Sequence, residues 1–254
     1  MEQSKNGTYL IAGAIILAGL LIGFGVYFGN SGDTNTDNVT NQDGTTQEIK
    51  LNPVTKEDHI LGNPNADVVV VEFSDTECPF CKSFHSTMNK IITEYGKGGR
   101  LAWVYRHFPL TSLHSKAVAE ANATECAASL GGETAFWNYI NKIYEITPSN
   151  DGLDLTKLSE VAVEIGLDKK AFDECQTSQK FVDKIKSSFD DAVASGGNGT
   201  PHNVLVTKNG EMFTVDGALP YEMMKSVIDT VLKGIDEDQD FETTNNAIKL
   251  IIGR

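Results

Sequence analysis

Basic residues are scarce in this sequence. Its 21 Lys and Arg residues are outnumbered by 35 Asp and Glu residues, which gives a formal net charge of −14 at pH 7. Because proteins bind nucleic acid by setting Lys and Arg against the phosphates, this balance argues against nucleic acid as a partner. It predicts instead a soluble surface whose copies repel one another, and it does not name a substrate.

Cysteine is also scarce, with four residues in a chain of 254. Cys78 and Cys81 form a Cys-x-x-Cys pair, whereas Cys126 and Cys175 each stand alone with no paired ligand. A structural zinc site takes four ligands, usually as two close pairs. The sequence therefore predicts no metal site, and nothing in it indicates a cofactor.

Charge is missing altogether from residues 9–28, YLIAGAIILAGLLIGFGVYF. A helix of about 20 apolar residues spans the hydrocarbon core of a bilayer. The run is long for the apolar part of a cleavable signal peptide, and no small-x-small cleavage site follows it. We expect these residues to form a transmembrane signal anchor.

The flanks of this run predict its orientation. Lys5 lies on the N-terminal side, and residues 29–48 contain no Lys or Arg. Because basic flanks stay in the cytoplasm, residues 1–8 are expected there and the rest of the chain outside, as a single-pass protein of the cell membrane. Residues 29–50, rich in Gly, Asn, Asp and Thr, are typical of a flexible linker.

The order of the predicted elements indicates an α/β domain over residues 51–234. Residues 66–73, ADVVVVEF, are typical of a buried strand. From Pro79 the apolar residues recur with helical spacing as far as the glycines of residues 96–99, and residues 100–108 predict a second strand. A strand, helix and strand of these lengths favour a parallel βαβ unit.

The chain then shows only helical patterns until about residue 195. Two β-rich runs flank Asn209-Gly210, the strongest short signal of a β-hairpin. A last helix follows, with Pro220 near its start. The C-terminal tail, residues 235–254, is acidic and then apolar, which leaves open either a packed terminal helix or a frayed end.

The Cys-x-x-Cys pair falls where the first strand turns into the first helix. A thiol at a helix N-terminus faces unpaired backbone N–H groups and the positive end of the helix dipole, and both stabilise a thiolate. Thiolates carry out disulfide exchange. With Cys78 at that end and Cys81 under more cover one turn later, the pair predicts a redox-active disulfide rather than half of a zinc site.

Two further features are placed to serve these thiols. Glu72 interrupts the apolar strand, which predicts either a buried proton acceptor for the covered thiol or an edge residue that reaches water. Thr200-Pro201 stands directly before a strand. A cis bond there would bring Thr200 next to the sulfurs, whereas the alternative is an ordinary trans proline in a loop.

Together these residues resemble the DsbA-like branch of the thioredoxin superfamily. The resemblance covers nearly all of residues 57–233. It is carried by HILGNPNADVVVVEFSDTECPFCKSFH, VYRHFPL, AAS…FWNYINKIYE, AFDECQTS and GTPHNVLVTKNG. It implies a thioredoxin fold with a helical insertion at about residues 111–195.

The resemblance also implies roles for the candidate site residues. The Cys78–Cys81 pair matches the family's active-site disulfide, Glu72 its buried acid and Pro201 its cis-proline. The family's best-known oxidase has His where this chain has Phe80. Because the two residues between the cysteines tune the reduction potential, this departure bears on the oxidising strength.

The activity expected from the resemblance is donation of a disulfide to secreted or surface proteins that still carry free thiols. Pro79, Phe80 and Pro201 are expected to form an apolar lip for unfolded substrates. For re-oxidation the family implies a membrane quinone-linked partner of the DsbB or VKOR kind. A disulfide isomerase or reductase using the same site, and a redox-inert binding module, are the alternatives.

The two remaining cysteines are predicted to pair with each other. Outside the membrane an even cysteine count usually means pairing, and Cys78 and Cys81 are already assigned by their spacing. By elimination we predict a structural Cys126–Cys175 disulfide within the helical block. The alternative is two separate buried thiols that act as small apolar side chains.

Four histidines lie close in sequence to the predicted site elements: His85, His107, His114 and His202. His202 follows Pro201 and is therefore the best placed of the four to face the sulfurs. For each of them a solvated or packing role is the alternative, since polar loop residues are often simply hydrated.

Overall fold

The computed structural model of the chain describes residues 39–40, 46–47 and 49–253. The predicted cytoplasmic residues 1–8 and the predicted membrane anchor, residues 9–28, lie outside this range. Among the described residues, no helix is both long enough and apolar enough to cross a membrane.

The predicted linker contains one described element, a short antiparallel pair of strands. It joins β1 (Val39–Thr40) to β2 (Thr46–Gln47). Farther along, Lys50 is exposed, whereas Leu51 and Val54 pack against the hydrophobic core under the main sheet. Leu51 and Val54 thus belong to the packed part of the chain.

A five-stranded sheet forms the centre of the domain. Its strands are β3 (His59–Gly62), β4 (Val68–Ser74), β5 (Leu101–His107), β6 (His202–Thr207) and β7 (Met212–Thr214), in the spatial order β3-β5-β4-β6-β7. β4 and β5 run parallel, whereas the other neighbours pair antiparallel. The parallel pair and the β6–β7 hairpin agree with the prediction. The short edge strand β3 was not predicted.

Seven described α-helices pack on this sheet or on one another. They are α1 (Pro79–Tyr95), α2 (Ala117–Ile146), α3 (Lys157–Glu164), α4 (Lys169–Ser178), α5 (Val182–Ala194), α6 (Tyr221–Asp236) and α7 (Phe241–Ile252). α1 and α6 share one core with the sheet, and α5 shares a second core on the other face. Since both faces of β4 are covered, its run of valines is apolar without alternation.

Helices α2 to α5 fill the predicted insertion, residues 111–195. α2 is broken at Gly132, whose φ of 71° and ψ of −166° are open mainly to glycine. The insertion has a core of its own, in which the Tyr139 and Phe172 rings lie 5.5 Å apart. A Cys126–Cys175 disulfide joins α2 to α4 in this core, the pairing that elimination predicts.

The C-terminal tail is a packed helix rather than a frayed end. In α7, Ile248 is buried, and the Phe241 ring stacks on Phe213 of β7 with 4.9 Å between centroids. The Asp240 side chain caps the helix by accepting a hydrogen bond from the Thr243 N–H. The apolar second half of the tail thus extends the core that α6 begins.

The Cys126–Cys175 disulfide is expected to stabilise the insertion without taking part in exchange. Its two residues are 49 apart in sequence. Loop-closure entropy for that separation corresponds to a stabilisation of at most about 4 kcal/mol. The double substitution Cys126→Ala and Cys175→Ala should lower the melting temperature by several degrees and leave thiol-exchange rates close to wild type. An unchanged melting temperature would contradict a structural role.

Candidate active site

The two thiols of the Cys-x-x-Cys pair lie at the start of α1, at the C-terminal end of β4. Cys78 is the N-cap residue of α1 and has an extended backbone, with Pro79 in the first helical position. Cys78 is 5% exposed and Cys81 is fully buried, and both are free thiols in this structure. The strand-to-helix junction therefore places one thiol at the helix N-terminus and the other beneath it, as the spacing predicts.

The surroundings of the two thiols give them different pKa values. A hydrogen bond from the Cys81 thiol is the main reason that the pKa of Cys78 is lowered to about 6, against the opposing effect of burial. Thr200 and the backbone N–H groups of Cys81 and Phe80 lower it further. Burial raises the pKa of Cys81, and the nearby charge of Cys78 adds to this effect. Cys78 is thus the thiolate and Cys81 its protonated partner.

Glu72 is fully buried on the central strand β4, so the alternative of an edge residue reaching water is wrong. Its carboxylate accepts hydrogen bonds from the Ser74 hydroxyl at 2.6 Å and from the Trp103 indole N–H at 2.9 Å. Burial is the main cause that raises the pKa of Glu72 to about 7, and the charge at Cys78 raises it further. A carboxyl group with this pKa is able to give or take a proton near neutral pH.

The Glu72 carboxyl group belongs to a chain of buried hydroxyl groups. Ser74 Oγ lies 2.9 Å from the Tyr144 hydroxyl, which in turn lies 3.3 Å from the Tyr105 hydroxyl. Hydroxyl groups both donate and accept, so this chain can reorient to match either protonation state of Glu72. Tyr144 belongs to α2, and the helical insertion therefore contributes to the surroundings of the buried acid.

The Thr200–Pro201 peptide bond is cis, so the alternative of an ordinary trans proline is wrong. The carbonyl oxygen of Thr200 lies 3.5 Å from Cys78 Sγ, which brings the turn before β6 against the thiol. Phe80 is 65% exposed and Pro79 is also exposed, in keeping with the predicted apolar lip. Pro201 is buried and adds little exposed surface to that lip, contrary to our expectation.

The histidines have roles that their positions in sequence did not show. Both ring nitrogens of His202 have partners other than the thiols, Nδ1 with Asp216 at 2.6 Å and Nε2 with Ser195 at 3.1 Å. His85 is buried, and burial lowers its pKa to about 4 although a hydrogen bond to Asn141 opposes the shift. His202 is therefore bonded to groups other than the thiols, and His85 is uncharged near neutral pH.

Asp75, Ser74 and Tyr144 are residues of the site that the sequence did not identify, whereas His114 was one of its four candidate histidines. Asp75 is buried directly after β4, and its backbone N–H donates to Cys81 Sγ at 3.4 Å. Its carboxylate is hydrogen-bonded to the His114 imidazole at 2.8 Å. No periodic pattern joins residues 39 positions apart, so only the fold brings this pair together.

Comparison with known proteins agrees with this fold. The protein-family model Thioredoxin_4, described as "Thioredoxin", matches residues 54–230. Among solved structures, Pseudomonas aeruginosa DsbA2 is 26% identical with a TM-score of 0.59, over 71% of this chain and 98% of that one. Oxidised BdbD from Bacillus subtilis is 22% identical with a TM-score of 0.63, over 73% of this chain and 98% of that one.

The chain belongs to the thioredoxin family, as its match to the family model over residues 54–230 shows. Within that family its fold is DsbA-like, with the helical insertion and the thiol pair described above.

Curated relatives of this domain are longer proteins. Part of the Na(+)/H(+) antiporter NhaA 1 of Mycolicibacterium gilvum is 32% identical over 154 residues, which is 59% of this chain and 24% of the antiporter. The NhaA 3 protein of Salinispora tropica is 32% identical over 144 residues, or 21% of its length. The chain thus spans less than a quarter of these relatives, and their printed names describe whole proteins of which only this part is shared.

Because Glu72 is buried, the free energy of unfolding should depend on pH. The pKa of Glu72 is raised from 4.5 in the unfolded chain to about 7 in the fold. Between these two pH values the folded state keeps a proton on Glu72 that the unfolded state has released. The contribution of Glu72 to the free energy of unfolding therefore falls progressively as the pH rises from about 4.5 to about 7. Glu72→Gln should remove this penalty and raise the free energy of unfolding of the reduced protein by up to about 3 kcal/mol above pH 7.

Urea unfolding of wild type and Glu72→Gln at several pH values between 4 and 8 measures this difference. The variant should gain on wild type as the pH rises, and it should exchange thiols more slowly with an altered pH profile. A stability difference that is constant across this range would contradict a raised pKa for Glu72.

Proposed function

We propose that this protein is an extracytoplasmic, membrane-anchored oxidase that donates its Cys78–Cys81 disulfide to secreted or surface proteins. The observation that carries the proposal is the opposite shift of the two thiol pKa values, down to about 6 for Cys78 and upward for Cys81. A stabilised Cys78 thiolate favours the reduced form of the pair. The disulfide is then readily given up, which makes it a strong oxidant.

The first step is attack of a substrate thiolate on Cys78 Sγ of the disulfide. The new bond joins the substrate sulfur to Cys78, the Cys78–Cys81 bond breaks, and Cys81 leaves as a thiolate. Burial disfavours that charge, so Cys81 takes up a proton. Glu72, whose charge interacts with Cys81 and whose pKa is about 7, is the proton donor that fits this position.

The second step releases the product. A second substrate thiolate attacks the substrate sulfur of the mixed disulfide, and Cys78 leaves with the electron pair of the broken bond. A leaving thiolate with a pKa of about 6 departs more easily than an ordinary cysteine does. The substrate dithiol is oxidised to a disulfide and the enzyme disulfide is reduced to a dithiol, so these two steps balance by themselves and leave the enzyme to be re-oxidised.

The surface around Cys78 suits substrates that are unfolded or still folding and that carry free thiols. The exposed Phe80 ring and Pro79 offer apolar contact beside Cys78. Such a contact suits extended apolar segments, which folded substrates have already buried. The small exposed part of Cys78 further favours flexible chains that can reach it.

The cellular setting of the proposal rests on the sequence. The charge-free residues 9–28 would anchor the chain, and residues 29–50 would hold the domain outside, where disulfides persist. Each cycle leaves the pair reduced, so turnover requires an electron acceptor. A membrane quinone-linked protein of the DsbB or VKOR kind is the partner class that we propose.

A reductase or isomerase is the second candidate, because the same thiol pair serves either direction. Phe80 stands where a His would add a positive charge near the thiols, and this departure favours a weaker oxidant. The redox-inert binding module is less consistent with a free thiol pair whose acidities are so different.

The reduction potential of the Cys78–Cys81 couple separates oxidase from reductase. The isolated domain, from residue 49 onward, would be equilibrated with glutathione buffers, and its reduced fraction counted after alkylation. A potential near that of strong oxidants, about −120 mV, supports the oxidase, whereas one near about −270 mV would overturn it in favour of the reductase.

Membrane topology is tested separately on cells that make the full chain. Protease added to spheroplasts should digest the domain, because residues 1–8 carry the basic flank and the proposed orientation leaves the domain outside. A cytoplasmic protein would serve as the control for intact membranes. A domain that stays protected until the cells are lysed would contradict the proposed topology.

A further inference from the structure

Asp75 is the first residue of the segment between β4 and α1, residues 75–78, which we call the thiol loop. It makes most of the hydrogen bonds that hold this loop in place. Its backbone carbonyl accepts a hydrogen bond from the Cys78 N–H at 3.1 Å, and its N–H donates to Cys81 Sγ at 3.4 Å. Its side-chain oxygen Oδ1 accepts from the Glu77 N–H at 2.8 Å. The position of Asp75 therefore bears directly on both thiols.

The second carboxylate oxygen of Asp75 points toward the start of the helical insertion. Oδ2 accepts a hydrogen bond from the Leu110 N–H at 2.8 Å, and it lies 2.8 Å from Nδ1 of His114. His114 is itself buried. The turn between Leu110 and His114 is thus fastened to the thiol loop through a single carboxylate.

A second segment of the insertion completes the surroundings of His114. Asn150 is hydrogen-bonded to the His114 side chain, and its backbone N–H donates to the Glu77 carbonyl at 2.8 Å. Asn150 has a φ of 53°, in the left-handed region that non-glycine residues seldom adopt. Both sides of His114 are therefore connected to the thiol loop.

The charges around His114 favour its protonated form. Burial lowers the pKa of His114, but the hydrogen bond and charge of Asp75 and then the charge of Cys78 outweigh this effect, so the pKa is raised. The other charged groups nearby include Asp151, whose interaction with His114 is favourable, and Lys116, which is bonded to the Asp151 and Leu153 carbonyls. Near Asp75 lies the buried Glu120, whose pKa is raised to about 9 by burial first and then by Glu77 and Asp75. An imidazolium at this place carries the positive charge that Phe80 cannot supply.

We propose that His114, held by Asp75, is a positioning and electrostatic residue of the thiol pair. As an imidazolium it stabilises the Cys78 thiolate, and through Asp75 it fixes the backbone groups that contact Cys78 and Cys81. The proposal rests on the thiol exchange of the proposed function, but it holds for either direction of electron flow. The reduction potential of the wild-type protein tests that direction. The role of His114 is tested by the difference in Cys78 pKa between variants and by the difference in His114 pKa between redox states.

His114→Gln keeps a polar side chain and removes the charge. Alkylation of reduced protein across pH should show a higher pKa for Cys78, and equilibrium with glutathione should shift toward the enzyme disulfide by about three- to tenfold, the size of half to one pKa unit. The difference from wild type should be present while His114 is protonated and should vanish at higher pH. A purely structural role would give a difference that does not depend on pH.

His107→Gln is the matched control. His107 is also a buried histidine, but burial lowers its pKa, and its hydrogen-bonding partners are Glu125 and Thr124 rather than residues of the thiol loop. The pKa of Cys78 should stay at its wild-type value in this variant. An equal shift in both variants would show a general effect of losing a buried histidine and would overturn the proposal.

A measurement on the wild-type domain covers the case in which His114→Gln does not fold. Linkage requires that the charge of Cys78 and the charge of His114 affect each other equally. The His114 imidazole resonances, followed by NMR across pH, should give a higher pKa in the reduced protein than in the oxidised protein, where Cys78 carries no charge. The same pKa for His114 in both redox states would overturn the proposal.

Discussion

The hydrogen bond that the Cys81 thiol donates to the Cys78 sulfur is the interaction on which the rest of the site depends. It is the largest single cause of the low pKa of Cys78, and its counterpart is the high pKa of the buried Cys81. The bond exists because β4 ends where α1 begins, with Cys78 as the N-cap and Cys81 one turn later. An ordinary strand-to-helix junction thereby makes one thiol a good leaving group and keeps the other protonated.

The charge on Cys78 also shifts the pKa values of other groups in the site. It raises the pKa of Glu72, which is already raised by burial, and it helps to raise the pKa of His114. The acid and the base lie on different elements, β4 and the turn that leads into α2. The helical insertion is thus part of the site, since it contributes Tyr144 to the hydroxyl chain and His114 to the thiol loop.

Features that depend on local pattern could be predicted from the sequence. The valine run of β4, the helical spacing after Pro79 and the Asn209-Gly210 turn each indicate their element because side-chain burial and backbone preference act within a few residues. The pairing of Cys126 with Cys175 followed from counting, since only two cysteines were left. The edge strand β3 was missed because its four residues, HILG, are too few to show an alternating pattern.

Features that depend on distant contacts could not be predicted in the same way. Asp75 and His114 meet only because the turn after β5 folds back on the thiol loop, and no spacing in the sequence records that contact. His202 follows Pro201 directly, yet its ring is bonded to Ser195 and Asp216. Proximity in sequence indicated the wrong histidine, because side-chain direction is decided by packing.

Titration of Cys78 in the reduced domain tests the central claim, that the thiol pair is polarised, most directly. The rate of alkylation across pH should give a midpoint near 6 for wild type, a higher midpoint for Cys81→Ala and a smaller increase for Cys81→Ser, whose hydroxyl can still donate. A wild-type midpoint near the ordinary thiol value of 9.0, unchanged by Cys81→Ala, would contradict the account.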